Sequence, residues 1–305
     1  MAQAAGQASR RPGNEASTTA PRPAPLRIGS RTFDFSRPYV MGVVNATPDS
    51  FFDGGLYQDP TAATGRAARL VEEGADIVDV GGESTRPGAR PVDADEERRR
   101  VLPVIRALRA LSDVPISIDT TKVEVARAAL DEGADLLNDI SGLRFDPGLA
   151  DLAAERRVPI VLMHSREAPD TMQERIHYDD LLGEVLAEIE ASVAVATSRG
   201  VPRQSIIVDP GIGFGKTAGH NLEIIACAPL LARLGLPILL GPSNKSFIGA
   251  VTGAPVESRT GGTAAAVAAA VLAGVHFVRV HDVATMVQAA RIAHAIREAG
   301  RRGGQ

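Results

Sequence analysis

From residue 38 onward the chain alternates short, β-branched apolar runs with longer amphipathic stretches rich in Ala, Leu, Arg and Glu. The short runs predict eight strands: Tyr39 to Asn45, Asp76 to Val80, Pro115 to Asp119, Asp135 to Asn138, Pro159 to His164, Ser205 to Asp209, Pro237 to Gly241 and His276 to His281. A helical pattern follows each, near 59–73, 93–111, 122–132, 147–156, 179–199, 220–234, 258–273 and 283–298. Eight strand–helix units predict an α/β chain folded as a (β/α)8 TIM barrel, a single domain over residues 26–298. A doubly wound open sheet is the alternative, but no strand-first GxGxxG opens the chain. Residues 26–35, LRIGSRTFDF, predict a short hairpin covering the barrel floor. The Ala-, Ser-, Pro-, Gly- and Arg-rich residues 1–25 predict a disordered tail, and residues 299–305 a flexible C-terminal one.

Three helix-to-strand junctions share a phrase: EEGAD (72–76), DEGAD (131–135) and LAGVH (272–276). A glycine there suits the left-handed turn that ends a helix before the next strand. These repeats are structural punctuation and carry no chemistry.

A formal charge of −4 over 305 residues, with no long basic block, argues against nucleic acid or a membrane surface as the main partner. Local cations must therefore hold any anionic substrate. The single cysteine, Cys227, has no partner for an internal disulfide or a zinc site, which points to a reducing, cytoplasmic setting. No apolar run approaches the roughly 20 residues a membrane-spanning helix needs.

The strands end abruptly in polar loops: NATPDSFFDGG (45–55), GGESTRPG (81–88), SIDTT (117–121), NDISG (138–142), DPGIGFGKT (209–217), SNKS (243–246) and RVHD (279–282). Barrel enzymes place their chemistry at these carboxyl ends, so residues distant in sequence converge on one mouth. Asp119, Asn138 and Asp209 end three strands; two carboxylates and an amide match the donor and acceptor edge of a flat, nitrogen-rich ring. Each alone also suits a helix N-cap. Arg86, Lys245, Arg279 and His281 bring positive charge from three loops, the makings of a phosphate site. Asn45, Asp49 and Asp53 offer hard oxygens for an Mg²⁺ that bridges substrate phosphates. GIGFGKT is not a P-loop, because Pro210 stands where the first glycine of GxxxxGK[ST] belongs. His164, at the end of a buried strand, reads as a side chain that satisfies hydrogen bonds, and no GxSxG, HExxH or paired-cysteine pattern points to hydrolysis or zinc.

In this order the loops NATPDSFFDGG, GGESTRPGA, ISIDT, NDISGL, DPGIGFGKT, SNKSFIG and RVHDV resemble the dihydropteroate synthase family over residues 26–297. The resemblance implies a (β/α)8 barrel, a homodimer, and condensation of 6-hydroxymethyl-7,8-dihydropterin diphosphate with p-aminobenzoate to give 7,8-dihydropteroate and pyrophosphate. It implies Asp119, Asn138, Asp209 and Lys245 as pterin contacts, and Asn45, Arg279 and His281 as diphosphate and Mg²⁺ contacts. Phe51, Thr85, Arg86, Pro87, Lys245 and Ser246 resemble its other substrate-binding positions, largely around p-aminobenzoate, with Asp49 and Asp53 on a mobile first loop. Asp49, Asp53, Arg86, Lys245, Arg279 and His281 are the implied catalytic set. Two departures stand out: Asn244 replaces the arginine of the family's SRKS, and Phe52 replaces a small polar residue.

Overall fold

A computed structural model describes residues 22–47, 60–85, 88–89 and 91–303. Eight of its strands are parallel neighbours in one sheet: β3 (Tyr39–Asn45), β4 (Ile77–Gly81), β5 (Ile116–Asp119), β6 (Leu136–Asp139), β7 (Ile160–Met163), β8 (Ile206–Asp209), β9 (Leu239–Leu240) and β10 (Phe277–Val280). They run β8-β7-β6-β5-β4-β3-β10-β9, and one parallel bridge between Val208 and Ile238 joins the two ends into a barrel. Residues of β4 to β8 are buried on both faces, by helices outside and side chains within, which is why these strands read as unbroken apolar runs.

Helices α1 (Pro60–Glu72), α2 (Ala94–Leu111), α3 (Val123–Asp131), α4 (Gly148–Arg156), α5 (Leu181–Ser198) and α6 (Ala218–Ala226) alternate with the strands. Side-chain caps start several of them: Asp93 accepts from Glu96 N at 2.8 Å, Asp180 from Gly183 N at 3.1 Å, and Thr217 from His220 N at 3.1 Å. Gly74, Gly133 and Gly274 hold φ of 100°, 103° and 97° at the three shared junctions, where a side chain would be strained. The aspartates of the repeated phrase tie down strand starts: Asp76 accepts from Val40 N, and Asp135 from Ile116 N.

The last third departs from the expected periodicity. The stretch read as one helix over 220–234 is α6 followed by a 3-10 turn, Ala228–Leu234, with Pro229 at the break because it has no N–H to continue the ladder. A short α7 (Ser246–Thr252), stopped by Gly253 at φ 72°, precedes α8 (Thr260–Leu272) and went unread because it is only two turns long. The final helix, α9 (Val283–Gly303), continues beyond residue 298 instead of ending in a seven-residue tail; Ala and Arg there favour helix, and Arg301 pairs with Glu298 one turn back.

Strands β1 (Leu26–Ile28) and β2 (Arg31–Phe33) form the N-terminal hairpin. Its Leu26, Ile28 and Phe33 join Tyr39, Met41, Ile77, Leu136 and Phe277 in a buried cluster drawn from the amino ends of the strands, so the hairpin plugs the barrel floor. Phe33 stacks edge-on against Tyr39 at 4.8 Å between ring centroids and tilts against Phe277 at 5.6 Å. With the floor filled by hydrocarbon, polar chemistry is left to the opposite end. Phe33→Ala should cost about 3–5 kcal/mol of unfolding free energy, read from urea denaturation, through the lost packing and the cavity left behind.

Candidate active site

The carboxyl ends of the strands gather an ionic cluster. Arg279 on β10 donates from Nε to Asp79 Oδ2 on β4 at 2.6 Å and from Nη2 to Asp119 Oδ2 on β5 at 2.6 Å. Asn138 on β6 donates from Nδ2 to the same Asp79 oxygen at 3.1 Å. Asp119 pairs with Asn138 in the ladder between β5 and β6, so the two stand level at the mouth. Arg279 thus spans β3 to join three strands, with its Nη1 unpaired among the described residues. Asp79 is fully buried and its Oδ1 has no partner among the described residues. Sequence reading missed Asp79, because it lies inside an apolar run rather than at its end.

Burial disfavours charge on Asp119 and Arg279. It pushes the Asp119 carboxyl up to about 7, although Arg279 pulls the other way and Asp79 adds repulsion. Burial equally opposes the Arg279 cation, but Asp79 and Asp119 more than offset it and hold the guanidinium above its ordinary value. Asp209 at the end of β8 is driven up to about 6 by burial, despite a 2.7 Å bond from Gly211 N to Oδ1 and the attraction of Lys245. Lys245 is drawn down to about 8, first by burial and then by Arg279.

An apolar wall flanks these groups. Ile140 beyond β6, Met163 at the end of β7, and Met172 and Phe214 in the loops after β7 and β8 form a separate buried cluster. Lys245 Nζ sits 4.2 Å from the centroid of the Phe214 ring, a cation–π contact that joins the wall to the charged residues. Asp209, Asp119 and Arg279 all act electrostatically on Lys245, so the charged groups and this wall share one end of the barrel. Ile140, Met163 and Phe214 also escaped sequence reading, since an apolar residue at a strand end looks like core.

Other expected residues fall around this centre. Asn45 ends β3, half-buried. His281 follows β10 with Nδ1 3.0 Å from Ser243 Oγ, while Arg66 donates to its carbonyl at 2.6 Å. Thr85 is half-buried in the loop after β4, and Ser246 is exposed as the first residue of α7. Asn244 holds φ of 58°, a left-handed conformation that asparagine tolerates better than arginine; its carbonyl accepts from Arg259 at 3.0 Å. Asp139 folds its own loop, accepting from Ser141 N and Oγ at 2.8 and 2.7 Å. Asp49, Phe51, Phe52, Asp53, Arg86 and Pro87 lie outside the described residues.

Among the described residues no group of three or more acidic, histidine or cysteine side chains is placed to cage a metal. One amide oxygen from Asn45 at the rim fits Mg²⁺ only as an ion that takes its remaining ligands from water and a substrate's phosphates.

The sequence profile described as "Pterin binding enzyme" matches residues 41–281. A dihydropteroate synthase of Synechocystis is 49% identical over 276 residues, covering 90% of this chain and 96% of the relative. The solved dihydropteroate synthase of Xanthomonas albilineans with 4-aminobenzoic acid superposes with a TM-score of 0.84 at 43% identity, covering 90% of this chain and 98% of the other. Its complex with 7,8-dihydropteroate superposes at 0.81 and 42% identity, with the same coverage.

Because Asp119 and Asp209 hold protons more tightly folded than unfolded, the stability they contribute is full below pH 3.8. It is lost as pH rises through about 6 for Asp209 and about 7 for Asp119. Asp209→Asn should remove one share of that loss. Urea unfolding of the ligand-free protein should show a shallower decline for the variant than for the parent up to about pH 6.

Proposed function

The chain belongs to the dihydropteroate synthases of the pterin-binding enzyme family, and from that premise we propose that it transfers a pterin-methyl group from 6-hydroxymethyl-7,8-dihydropterin diphosphate to the amine of p-aminobenzoate, releasing pyrophosphate. The observation that carries this reading is the convergence of Asp119, Asn138, Asp209 and Lys245 beside the apolar wall of Ile140, Met163 and Phe214. That set suits the chemistry of a pterin: hydrocarbon for its face, carboxylates for its amino-pyrimidine N–H groups, and an amide able to donate and accept. Asp209 is the best amino-pyrimidine partner, because its Oδ1 is held by Gly211 while its Oδ2 has no partner among the described residues.

The diphosphate lies toward Asn45, Arg279 and His281. Arg279 already spends Nε and Nη2 on Asp79 and Asp119, which fixes its orientation and leaves Nη1 for a phosphate oxygen. Bound Mg²⁺, held on the protein side by Asn45, would supply further charge neutralisation to the leaving diphosphate. Two events balance the reaction. The bond from the exocyclic methylene carbon to the diphosphate oxygen breaks with both electrons going to the oxygen. The aniline nitrogen then forms the C–N bond and gives up one proton to solvent. The electron-rich pterin stabilises the cationic carbon, so the order is dissociative and needs no covalent nucleophile. Arg86, Asp49 and Asp53 belong to this reading as catalytic residues, and Phe51, Thr85, Pro87 and Ser246 as residues of the p-aminobenzoate side. It also includes a homodimer, supported by Ile292 and Ile296, exposed one turn apart on α9, and a cytoplasmic setting.

Purified protein given the pterin diphosphate and Mg²⁺ should release pyrophosphate only when p-aminobenzoate is present, in step with dihydropteroate formation. No turnover despite pterin binding would indicate a silent pterin-binding paralogue instead. Asp209→Ala should weaken binding of the bare pterin at least tenfold by calorimetry, and unchanged affinity would displace Asp209 from the pterin edge.

A further inference from the structure

Behind the pterin face lies a buried lysine that the proposed chemistry does not touch. Lys216 is 3% exposed, and its Nζ lies 2.9 Å from His164 Nδ1 and 3.0 Å from the Phe214 carbonyl, to which it donates. His164 is 4% exposed and its Nε2 lies 3.1 Å from Glu188 Oε2 on α5. With Lys216 donating to Nδ1, the imidazole is the tautomer that donates from Nε2 to the Glu188 carboxylate. Burial and then Lys216 hold the imidazole pKa down to about 2, so it is neutral; burial brings Lys216 down to about 7. The outer end is fixed in turn, since Arg166 donates to Glu188 at 2.6 Å and also pairs with Glu184.

The inner end meets the substrate face at three points. His164 N donates to the Asp209 carbonyl at 2.8 Å. Gly211, whose N–H holds the Asp209 carboxylate, lies so close to His164 that a methyl group on it would fall 2.0 Å from the His164 carbonyl oxygen and 3.4 Å from Lys216 Nζ. Phe214, whose carbonyl Lys216 grips, is the ring beneath Lys245. A methyl on Gly213 would fall 2.8 Å from Lys245 Cδ, so the same glycine-rich loop also supports the Lys245 stem. A loop of Gly211, Gly213 and Gly215, all with φ above 50°, has little stiffness of its own and needs such a clasp.

We propose that Lys216, seated on His164 and Glu188, is the positioning residue that sets the Asp209, Phe214 and Lys245 face for the pterin ring. The inference rests on the pterin-transfer reading and adds a residue that touches no substrate. A loosened loop weakens ground state and transition state alike for the pterin substrate, so its loss falls on KM and not on kcat.

Lys216→Met keeps the length and apolar stem of the side chain while removing its donors. It should weaken binding of 6-hydroxymethylpterin, read by calorimetry, about tenfold, and raise KM for the pterin diphosphate by a similar factor. The p-aminobenzoate KM and kcat should stay within about twofold. Glu188→Gln, at the half-exposed outer end, should cost about threefold in the same pterin measurements and covers the case in which Lys216→Met does not fold. Unchanged pterin affinity in a folded Lys216→Met protein, or in Glu188→Gln if only that variant folds, overturns the proposal. Equal losses for both substrates and kcat also overturn it, showing a general structural role. A parent protein that binds no pterin overturns the functional reading itself, and is distinguished by failing before any variant is compared.

Discussion

The mouth of this barrel depends on one forked cation. Asp79 and Asp119 stand on adjacent strands with little water to solvate them, and two such carboxylates repel unless something neutralises both. The Arg279 guanidinium does so from across β3, and its planar geometry serves the two oxygens at fixed directions. A lysine at this position would be a single point charge and could not define both angles. The pair is costly to bury and costlier to break, so its value is less in added stability than in fixing one arrangement of β4, β5, β6 and β10.

Much of this was legible along the chain because a parallel barrel leaves a plain mark: apolar runs that halt at polar residues. Asn45, Asp119, Asn138 and Asp209 could be read from the halting points, and the structure places Asp119 and Asn138 level in one ladder. Asp79 was hidden because it interrupts an apolar run by one residue only, and nothing in the order of residues says that Arg279 lies opposite. Ile140, Met163 and Phe214 were hidden for the converse reason, their chemistry being the same as that of the core. The helices of the last third were misjudged where Pro229 and Gly253 cut the pattern into pieces shorter than its period can register.

The two ends of the barrel divide the work. Hydrocarbon from the hairpin and the first residues of the strands fills the floor, and the GAD aspartates anchor the strand starts there. A floor packed with hydrocarbon leaves the mouth to carry the partly neutralised carboxylates and the glycine-rich loop.

The seam of the barrel adds a last point. β9 has only two residues, and a single bridge between Val208 and Ile238 joins it to β8. The thinnest part of the hydrogen-bonded wall therefore lies between the strand that ends in Asp209 and the strand that leads to Lys245. On the proposed reading, a ring held by both residues would cross that seam as an extra rung, the substrate completing the staves of the cask that holds it, and amide exchange along the seam would then gauge occupancy.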